Sequence, residues 1–219
     1  MSSQFGPRVA GSVVADGVRR TFGDEVVLNH LSLEAAAGSI VSLIGANGSG
    51  KSTLMRILVG VLEPDAGVVL VAGERPGLGL ASYVPGGERM LNFRLTGEQN
   101  LRFYAHVAGV PEADVAGAVR RAAEVSDAGG LLRKRAGECS TGQRRRLMLA
   151  VGIVGSPPVL LLDEPYSDLD DRGCATMASA ARGWADAGGL VVYAAPRSEH
   201  GPLADVVYRF REGAVEVAS

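Results

Sequence analysis

Apolar residues fall into two patterns along the chain: short continuous runs, and longer segments in which they recur at helical spacing. The continuous runs have the length of strands that are buried on both faces of a parallel sheet. They lie at residues 39–44, 80–84, 159–162 and 190–194. Helical spacing occurs at residues 53–61, from about 91 to 136, and at 175–187. Strands that alternate with helices in this order predict an α/β fold with a mainly parallel sheet.

Further strand-like runs lie outside these segments. They occupy residues 9–33, 67–73, 206–210 and 214–217. A Phe-Gly-Asp turn divides the first of them, and a Glu-Gly turn joins the last two. Thr96, with Gln99 three residues on, fits a capping box at the start of a helix. The chain has no internal repeat and no low-complexity linker, so we expect one domain.

The segment between the first buried run and the first helical segment carries a phosphate-binding motif. Residues 45–52 read GANGSGKS and fit the pattern G-x-x-x-x-G-K-[ST], the P-loop. The glycines let the backbone curl so that several N–H groups point at one anion, and the following helix directs its positive dipole end to the same place. Lys51 supplies a positive charge for the β- and γ-phosphates, and Ser52 offers a hydroxyl to Mg²⁺.

A chance match in a glycine-rich chain is the alternative to this interpretation. Strand, loop and helix nevertheless follow in the order that the motif requires, so the sequence predicts binding of a nucleoside triphosphate. The predicted phosphate-binding residues are Gly45, Asn47, Gly48, Ser49, Gly50, Lys51, Ser52 and Thr53.

Two carboxylates end the third buried run. Residues 159–164 read VLLLDE, and in an open α/β sheet ligands bind at the carboxyl ends of the strands. Asp163 is placed to hold Mg²⁺ through water, and Glu164 is placed to orient or deprotonate the attacking water. A helix N-terminus that favours acidic residues is the alternative, and it carries less weight downstream of a P-loop. Glu164 is therefore the predicted catalytic residue, and Ser52 and Asp163 are the predicted metal ligands.

A third motif precedes a segment that is typical of an amphipathic helix. Residues 139–143 read CSTGQ and are followed by RRRLMLA. Here the chain resembles the ATP-binding cassette (ABC) ATPases, whose signature segment usually reads LSGGQ. Ser140, Gly142 and Gln143 match that signature, whereas a cysteine and a threonine replace its leucine and its first glycine. An ordinary capped helix start also explains the serine, but the same helix N-terminus is suited to a γ-phosphate.

The resemblance covers nearly the whole chain and implies a single nucleotide-binding domain over residues 1–219. It implies a P-loop NTPase core, an antiparallel β-subdomain in the region of residues 9–33, and a helical subdomain at about 91–150 that carries the signature. It also implies that Phe22 stacks on adenine, and that residues 167–170 (SDLD) resemble the D-loop that follows the catalytic glutamate.

The same resemblance implies how such a subunit works. Two nucleotide-binding subunits, identical or different, face each other head to tail, and ATP with Mg²⁺ binds between the P-loop of one and the signature of the other. Ser140, Gly142 and Gln143 then act in trans. A separate membrane permease carries the substrate. The short chain shows no obvious C-terminal regulatory domain, which favours an exporter over a regulated importer.

The chain departs from the family at two positions near the expected site. Most members place a glutamine after the strand of residues 80–84, where Mg²⁺ and the membrane partner are sensed. Gly86 stands there instead, with Glu88 as the nearest polar substitute. Pro196 stands where family members have a histidine that touches the γ-phosphate, and His200 lies four residues on. Proline has neither a side-chain donor nor an N–H.

Two interpretations of these departures stay open. In the first, the site hydrolyses ATP slowly and works mainly by binding it and closing. In the second, Glu164, Lys51 and Mg²⁺ suffice without the histidine. Because Asp163 and Glu164 are both present, we expect retained but reduced hydrolysis.

Composition adds limits on partners and location. The formal net charge of −2 gives no electrostatic case for nucleic acid. The basic clusters at residues 133–135 and 144–146 are typical of solvated helix faces. Two cysteines far apart in sequence indicate a reducing cytosol. No segment suits a signal peptide or reaches the roughly 20 apolar residues of a membrane span, so we expect a cytoplasmic protein held at the inner face of the cell membrane by its permease.

Two other classes compete with a transporter subunit. A soluble ABC protein that acts on ribosomes or DNA usually carries two cassettes, or a long insertion between the P-loop and the signature, and this chain has neither. A regulatory, binding-only cassette paired with an active partner is supported by the missing glutamine and histidine. The presence of Glu164 opposes that second alternative.

Overall fold

A six-stranded sheet with helices packed against it forms the centre of the molecule. The computed structural model describes residues 11–87, 90–167, 169–196, 204–211 and 213–218. Within these residues the strands are β1 (Val13–Phe22), β2 (Glu25–Ala35), β3 (Ile40–Ile44), β4 (Ala66–Val71), β5 (Ala81–Val84), β6 (Val159–Asp163), β7 (Leu190–Ala195), β8 (Val206–Arg211) and β9 (Ala214–Ala218). The α-helices are α1 (Lys51–Leu58), α2 (Gly97–Val107), α3 (Glu112–Val125), α4 (Thr141–Ile153) and α5 (Asp171–Asp186).

The central sheet has the strand order β5-β6-β7-β3-β8-β9. All of its neighbouring strands are parallel except β8 and β9, which pair antiparallel. Strands β3 and β7, in the middle of the sheet, are buried at every position, as a parallel strand covered on both faces should be. The four apolar runs correspond to β3, β5, β6 and β7, and the predicted mainly parallel sheet is confirmed.

A second sheet, antiparallel throughout, has the order β2-β1-β4. Helix α1 joins the two sheets through a shared apolar core. Leu54 and Met55 of α1 belong to the same buried cluster as Leu28 of β2 and Leu43 of β3. This packing fixes the start of α1 relative to both sheets, and therefore fixes the loop that precedes it.

Helices α2, α3 and α4 pack on one another and reach the central sheet where α4 contacts β5. The predicted capping box is present at the start of α2. The Thr96 hydroxyl accepts from the Gln99 N–H at 3.2 Å, and the Gln99 side chain accepts from the Thr96 N–H at 2.9 Å. Residues 91–96 precede the helix, although they share its apolar spacing. The buried Asn100 side chain holds them, since it accepts from the Asn92 N–H at 2.8 Å.

Two helix boundaries differ from the prediction for local reasons. Helix α1 ends at Leu58, because Gly60 adopts a backbone φ of 81° that breaks the helix before residue 61. Helix α5 begins at Asp171, four residues earlier than the apolar spacing predicts, because the Asp170 carboxylate caps it by accepting from the Gly173 N–H at 2.8 Å. Among the described residues, no helix combines the length and apolar character that crossing a membrane requires.

Candidate nucleotide-binding site

The P-loop connects β3, in the interior of the central sheet, to the first residue of α1. Gly48 and Gly50 have φ angles of 81° and 101°, in the left-handed region that favours glycine. A Cβ atom at Gly50 would also lie 2.7 Å from the Leu28 Cδ2 atom and 2.9 Å from the Val27 carbonyl oxygen. The glycines of the motif therefore let the chain turn sharply from strand into helix.

Lys51 begins α1, and its side chain turns back over the loop. Its ammonium group donates to the carbonyl oxygens of Gly45 and Ala46 at 2.7 and 2.8 Å, and the residue is only 6% exposed. Burial lowers the pKa of Lys51, while the negative charges of Asp163 and Glu164 oppose that shift. The lysine thus lies between the loop and the two carboxylates.

One open cleft of about 190 Å³ joins the P-loop to the end of β6. Its lining residues are Asn47, Gly48, Ser49, Gly50, Lys51, Ser52, Thr53, Asp163 and Glu164. The structure therefore brings the predicted phosphate-binding residues together with both carboxylates. Gly45, also predicted, lies outside the lining and contributes the carbonyl oxygen that holds Lys51.

The side chains of Ser52 and Asp163 offer oxygen atoms, which suits Mg²⁺. Magnesium is usually held by one or two protein oxygens and completes its shell with water and phosphate oxygens. This pair of donors therefore fits a magnesium ion that arrives with a nucleotide. In the part of the chain that the structure describes, no cluster of three or more His, Cys, Asp or Glu side chains offers another metal site.

Tyr83 belongs to this site and was missed by the sequence analysis. Its hydroxyl, on β5, donates to the Oδ2 atom of Asp163 at 2.8 Å. Burial, followed by the hydrogen bond to Asp163, raises the pKa of Tyr83, so the hydroxyl remains a donor. The pairing of β5 with β6 brings the two residues together. No motif in the sequence records that pairing.

Glu164 has an unusual backbone. Its φ of 49° lies in the left-handed region, where a residue with a Cβ atom is strained. Its N–H donates to the Ala194 carbonyl oxygen of β7 at 2.9 Å, and its Oε2 atom accepts from the Ser167 hydroxyl at 3.5 Å. Strand β7 therefore anchors the backbone of the catalytic candidate just beyond the carboxyl end of β6.

Both departures from the family lie beside Glu164. A Cβ atom at Gly86 would lie 3.3 Å from the Asp163 carbonyl oxygen and 3.6 Å from the Glu164 Cβ atom. Pro196 is exposed and follows β7 directly, two residues after the carbonyl that anchors Glu164. Gly86 thus lies against the Cβ atom of Glu164, and Pro196 follows the strand that anchors the Glu164 backbone.

Phe22 ends β1 and does not line the P-loop cleft. The residue is 45% exposed, so its ring is available to a planar group. The Arg20 guanidinium lies 4.9 Å from the ring centroid and is held by Asp65 at 2.7 Å. The stacking of Phe22 on adenine stays a prediction.

The signature residues lie at the start of α4. Ser140 is the N-cap: its hydroxyl accepts from the Gln143 N–H at 3.3 Å, and the Gln143 side chain accepts from the Ser140 N–H at 3.1 Å. Lys134 also donates to the Gln143 Oε1 atom at 3.0 Å. Cys139, in place of leucine, is buried, and burial raises the pKa of its thiol.

A separate cleft of about 310 Å³ contains the signature residues. Ser140, Gly142 and Gln143 line it together with Arg146 and with residues at the start of α5. None of the P-loop residues lines this cleft, so a single chain does not bring the signature to the P-loop. Of the other residues that the sequence analysis considered, Glu88, Asp168 and His200 lie outside the described residues.

A P-loop at the end of a central parallel strand, facing acidic residues at the end of a strand two positions away in the sheet, is the arrangement of P-loop nucleotide-binding proteins. The model of the ABC transporter family matches residues 28–167. The chain belongs to that family.

Three comparisons illustrate the membership. The doxorubicin resistance ATP-binding protein DrrA of Mycobacterium tuberculosis (strain CDC 1551 / Oshkosh) is 36% identical over 171 residues, 74% of this chain and 51% of the relative. The sulfate/thiosulfate import ATP-binding protein CysA of Mesostigma viride is 34% identical over 170 residues, 74% of this chain and 47% of the relative. The structure of cbiO1 from Clostridium perfringens superposes with a TM-score of 0.84 at 24% identity, covering 94% of this chain and 87% of that one.

These findings confirm the predicted family and the predicted fold class, an α/β P-loop cassette. The two curated relatives are ATP-binding proteins, one named for doxorubicin resistance and one for sulfate/thiosulfate import. The chain spans about half the length of the curated relatives it matches.

Proposed function

We propose that this chain is the ATP-binding and ATP-hydrolysing subunit of an ABC transporter, and that it acts through a separate membrane permease. The single cleft in which the P-loop meets Asp163 and Glu164 carries this proposal. Family membership supports it independently.

Each part of the cleft has its own role toward Mg·ATP. The N–H groups of the P-loop and the N-terminus of α1 bind the phosphates, and Lys51 balances their charge. Ser52 and Asp163 hold Mg²⁺, which neutralises charge on the phosphate oxygens. Glu164 accepts a proton from the attacking water or orients it. Phe22, at the exposed end of β1, offers a ring face to adenine.

A second nucleotide-binding subunit completes the site. The signature residues Ser140, Gly142 and Gln143 line a cleft of their own, so within one chain they have no access to phosphates bound at the P-loop. In a head-to-tail pair, each signature helix directs its N-terminus at the γ-phosphate bound by the opposite subunit. ATP then acts as a clamp whose closure moves the helical region of about residues 91–150 against the permease.

The residues around Glu164 determine the rate of ATP hydrolysis. Neither Gly86 nor Pro196 offers a side-chain donor, and both lie beside the carboxylate or its anchoring strand. We therefore propose retained but slow hydrolysis, with ATP-driven closure as the main output. The alternative, a binding-only cassette paired with an active partner, is favoured by the same two residues and is opposed by the position of Glu164 in the cleft.

The direction of transport is proposed to be export, with the chain on the cytoplasmic face of the membrane. The name of the DrrA relative, a resistance protein, supports export. An importer is the alternative, because the CysA relative is named as an import protein at similar identity. The transported substrate is a property of the permease.

Calorimetry with Mg·ATP tests the binding half of this proposal. Lys51→Ala removes a charge-assisted phosphate contact and should weaken ATP binding by about 10-fold or more. Arg120→Ala, which removes the same charge from an exposed position on α3, should leave the affinity unchanged. Unchanged affinity in the Lys51 variant would refute a P-loop nucleotide site. The hydrolysis half is tested on the chain assembled with its permease, where turnover should require both Lys51 and Glu164.

A further inference from the structure

The strand beside β6 contributes a side chain to the metal end of the cleft. Tyr83 on β5 and Asp163 at the end of β6 come from adjacent parallel strands, with Tyr83 paired to Leu161 in the register. The Tyr83 hydroxyl reaches along the sheet to the Asp163 Oδ2 atom, at 2.8 Å. The tyrosine is partly buried and packs against the apolar core that includes α1.

This is the one side-chain hydrogen bond to Asp163 among the residues that the structure describes. The P-loop lysine acts on Asp163 through its charge and donates instead to loop carbonyls. Among the described side chains, the tyrosine is thus the one whose hydrogen bond favours one orientation of the carboxylate. With it, one oxygen is held toward β5, and the Oδ1 atom is left for the metal or for a water bound to it.

We propose that Tyr83 is a positioning residue for the metal-binding carboxylate, a role that rests on the proposed function of the cleft. Its hydroxyl holds Oδ2 of Asp163, so that the carboxylate is already oriented when Mg·ATP arrives. Tyr83 does not touch the nucleotide or the metal. Its effect is therefore on the magnesium dependence of binding, with no effect on the contacts that the P-loop makes with phosphate.

Groups that orient a metal ligand typically contribute about 10- to 100-fold to metal affinity or activity. A neutral hydroxyl that holds one oxygen of a single carboxylate belongs at the lower end of that range. Tyr83→Phe is thus expected to raise the Mg²⁺ concentration needed for half-maximal tightening of ATP binding by about 10-fold. ATP binding in EDTA, which depends on the P-loop alone, should stay as in wild type.

The matched control is Tyr208→Phe. Tyr208 is a buried tyrosine on β8 whose hydroxyl donates to the Glu34 carbonyl oxygen at 2.8 Å, and it does not line the P-loop cleft. Both variants delete a hydroxyl that donates a 2.8 Å hydrogen bond to an oxygen atom, and the Tyr208 hydroxyl also accepts from the Glu34 N–H at 3.2 Å. The loss in melting temperature is therefore expected to be at least as large for Tyr208→Phe, so a shift in Mg²⁺ dependence confined to Tyr83→Phe separates positioning from general destabilisation.

The experiment is a titration of ATP binding by calorimetry at stepped Mg²⁺ concentrations, with an EDTA series alongside, for wild type and the two variants. The proposal is supported if the Mg²⁺ concentration for half-maximal tightening of ATP binding shifts by about 10-fold in Tyr83→Phe only, while the affinities for ATP in EDTA are equal for all three proteins. An unshifted Mg²⁺ dependence, or an equal shift in Tyr208→Phe, would overturn the role of Tyr83 while leaving the nucleotide site intact. A wild-type chain that binds no ATP in either series would overturn the proposed function itself.

Discussion

The P-loop cleft and the signature cleft of this chain are lined by different chemical groups. The first gathers residues from two separate parts of the sequence, the loop before α1 and the end of β6, and contains a buried lysine facing two carboxylates. The second also joins two parts of the sequence, the starts of α4 and α5, and each of these helices is capped by the side chain of its own N-cap residue. Lys51, Asp163 and Glu164 all line the first cleft, whereas the second offers helix N-termini that we propose meet the nucleotide bound by the opposite subunit.

The two clefts also differ in what they contribute to stability. In the P-loop cleft, Glu164 has a left-handed backbone conformation, and burying the charged Lys51 side chain costs desolvation free energy. At the signature, Ser140 and Gln143 satisfy each other's backbone N–H groups, which stabilises the helix. Strain thus coincides with the proposed catalytic residue, and local stabilisation coincides with the residues proposed to act in trans.

Glu164→Gln should produce the largest change and test whether the chemistry belongs to the P-loop cleft. The substitution keeps the shape of the side chain but removes the proton acceptor, so turnover should fall by about 10²- to 10⁴-fold. ATP should still bind and hold the assembled complex in a closed, dimeric state. Steady-state hydrolysis and light scattering measure the two effects. Glu124→Gln, at an exposed position on α3, is the control and should behave as wild type.

Pro196→His should change the same cleft so that the turnover of ATP rises, whereas Glu164→Gln lowers it. Losing one preorganised donor of this kind costs about 10²- to 10³-fold in rate, so restoring it should raise the turnover of the assembled transporter. The gain should vanish when Glu164→Gln is added, because the donor assists a step that still needs the carboxylate. Equal turnover in wild type and a folded Pro196→His variant would show that Glu164 and the metal already suffice.

A pair of stability measurements should reveal the smallest effects and sharpen the contrast between the clefts. Ser140→Ala removes the N-cap of α4 and should lower the free energy of unfolding by about 1 kcal/mol. Glu164→Gly relieves the strain of the left-handed backbone. The free energy of unfolding should therefore rise by up to about 1 kcal/mol, once the entropic cost of ordering a glycine on folding is subtracted. Denaturant unfolding measures both.

Two further variants serve as controls for these measurements. Thr96→Ala removes an equivalent capping box from α2, outside both clefts, and should cost as much stability as Ser140→Ala. Glu164→Gln keeps the strain and should leave stability near the wild-type value. A Glu164→Gly variant less stable than Glu164→Gln would contradict the assignment of strain to this backbone.

The motifs were predictable because each is contiguous in sequence. The P-loop, the Asp163-Glu164 pair and the Thr96–Gln99 capping box depend on residues within a few positions of one another, so spacing alone identifies them. The apolar runs likewise identified β3, β6 and β7, because these strands are almost wholly buried and show no alternation of apolar and polar positions. The run of β5 was identified as well, although that strand lies at the sheet edge and is only partly buried.

Other features depend on contacts that the sequence does not record. Tyr83 reaches Asp163 only because β5 lies beside β6, and the strand order is set by packing across the whole sheet. Glu164 has a left-handed backbone conformation and donates its N–H to a carbonyl oxygen of β7. The presence of a glutamate in the sequence predicts neither feature. The separation of the two clefts also appears only when the helices are placed in space.

Complementation between two inactive variants tests the central claim, that the two clefts of different chains form one site. Lys51→Ala disables the P-loop cleft. Gly142→Asp places a negative charge at the signature, where the chain itself has room, since the nearest atom to an added Cβ is Leu169 Cδ2 at 3.9 Å. Each variant alone, assembled with the permease, should be nearly inactive.

Mixed in equal amounts and assembled as pairs of this chain, the two variants should recover about a quarter of wild-type turnover, because half of the random pairs contain one intact site of two. Hydrolysis of ATP by the mixture, compared with each variant alone, is the measurement. Recovery near that level is the result that our account predicts. No recovery, in a mixture shown to contain mixed pairs, would contradict a site shared between two chains.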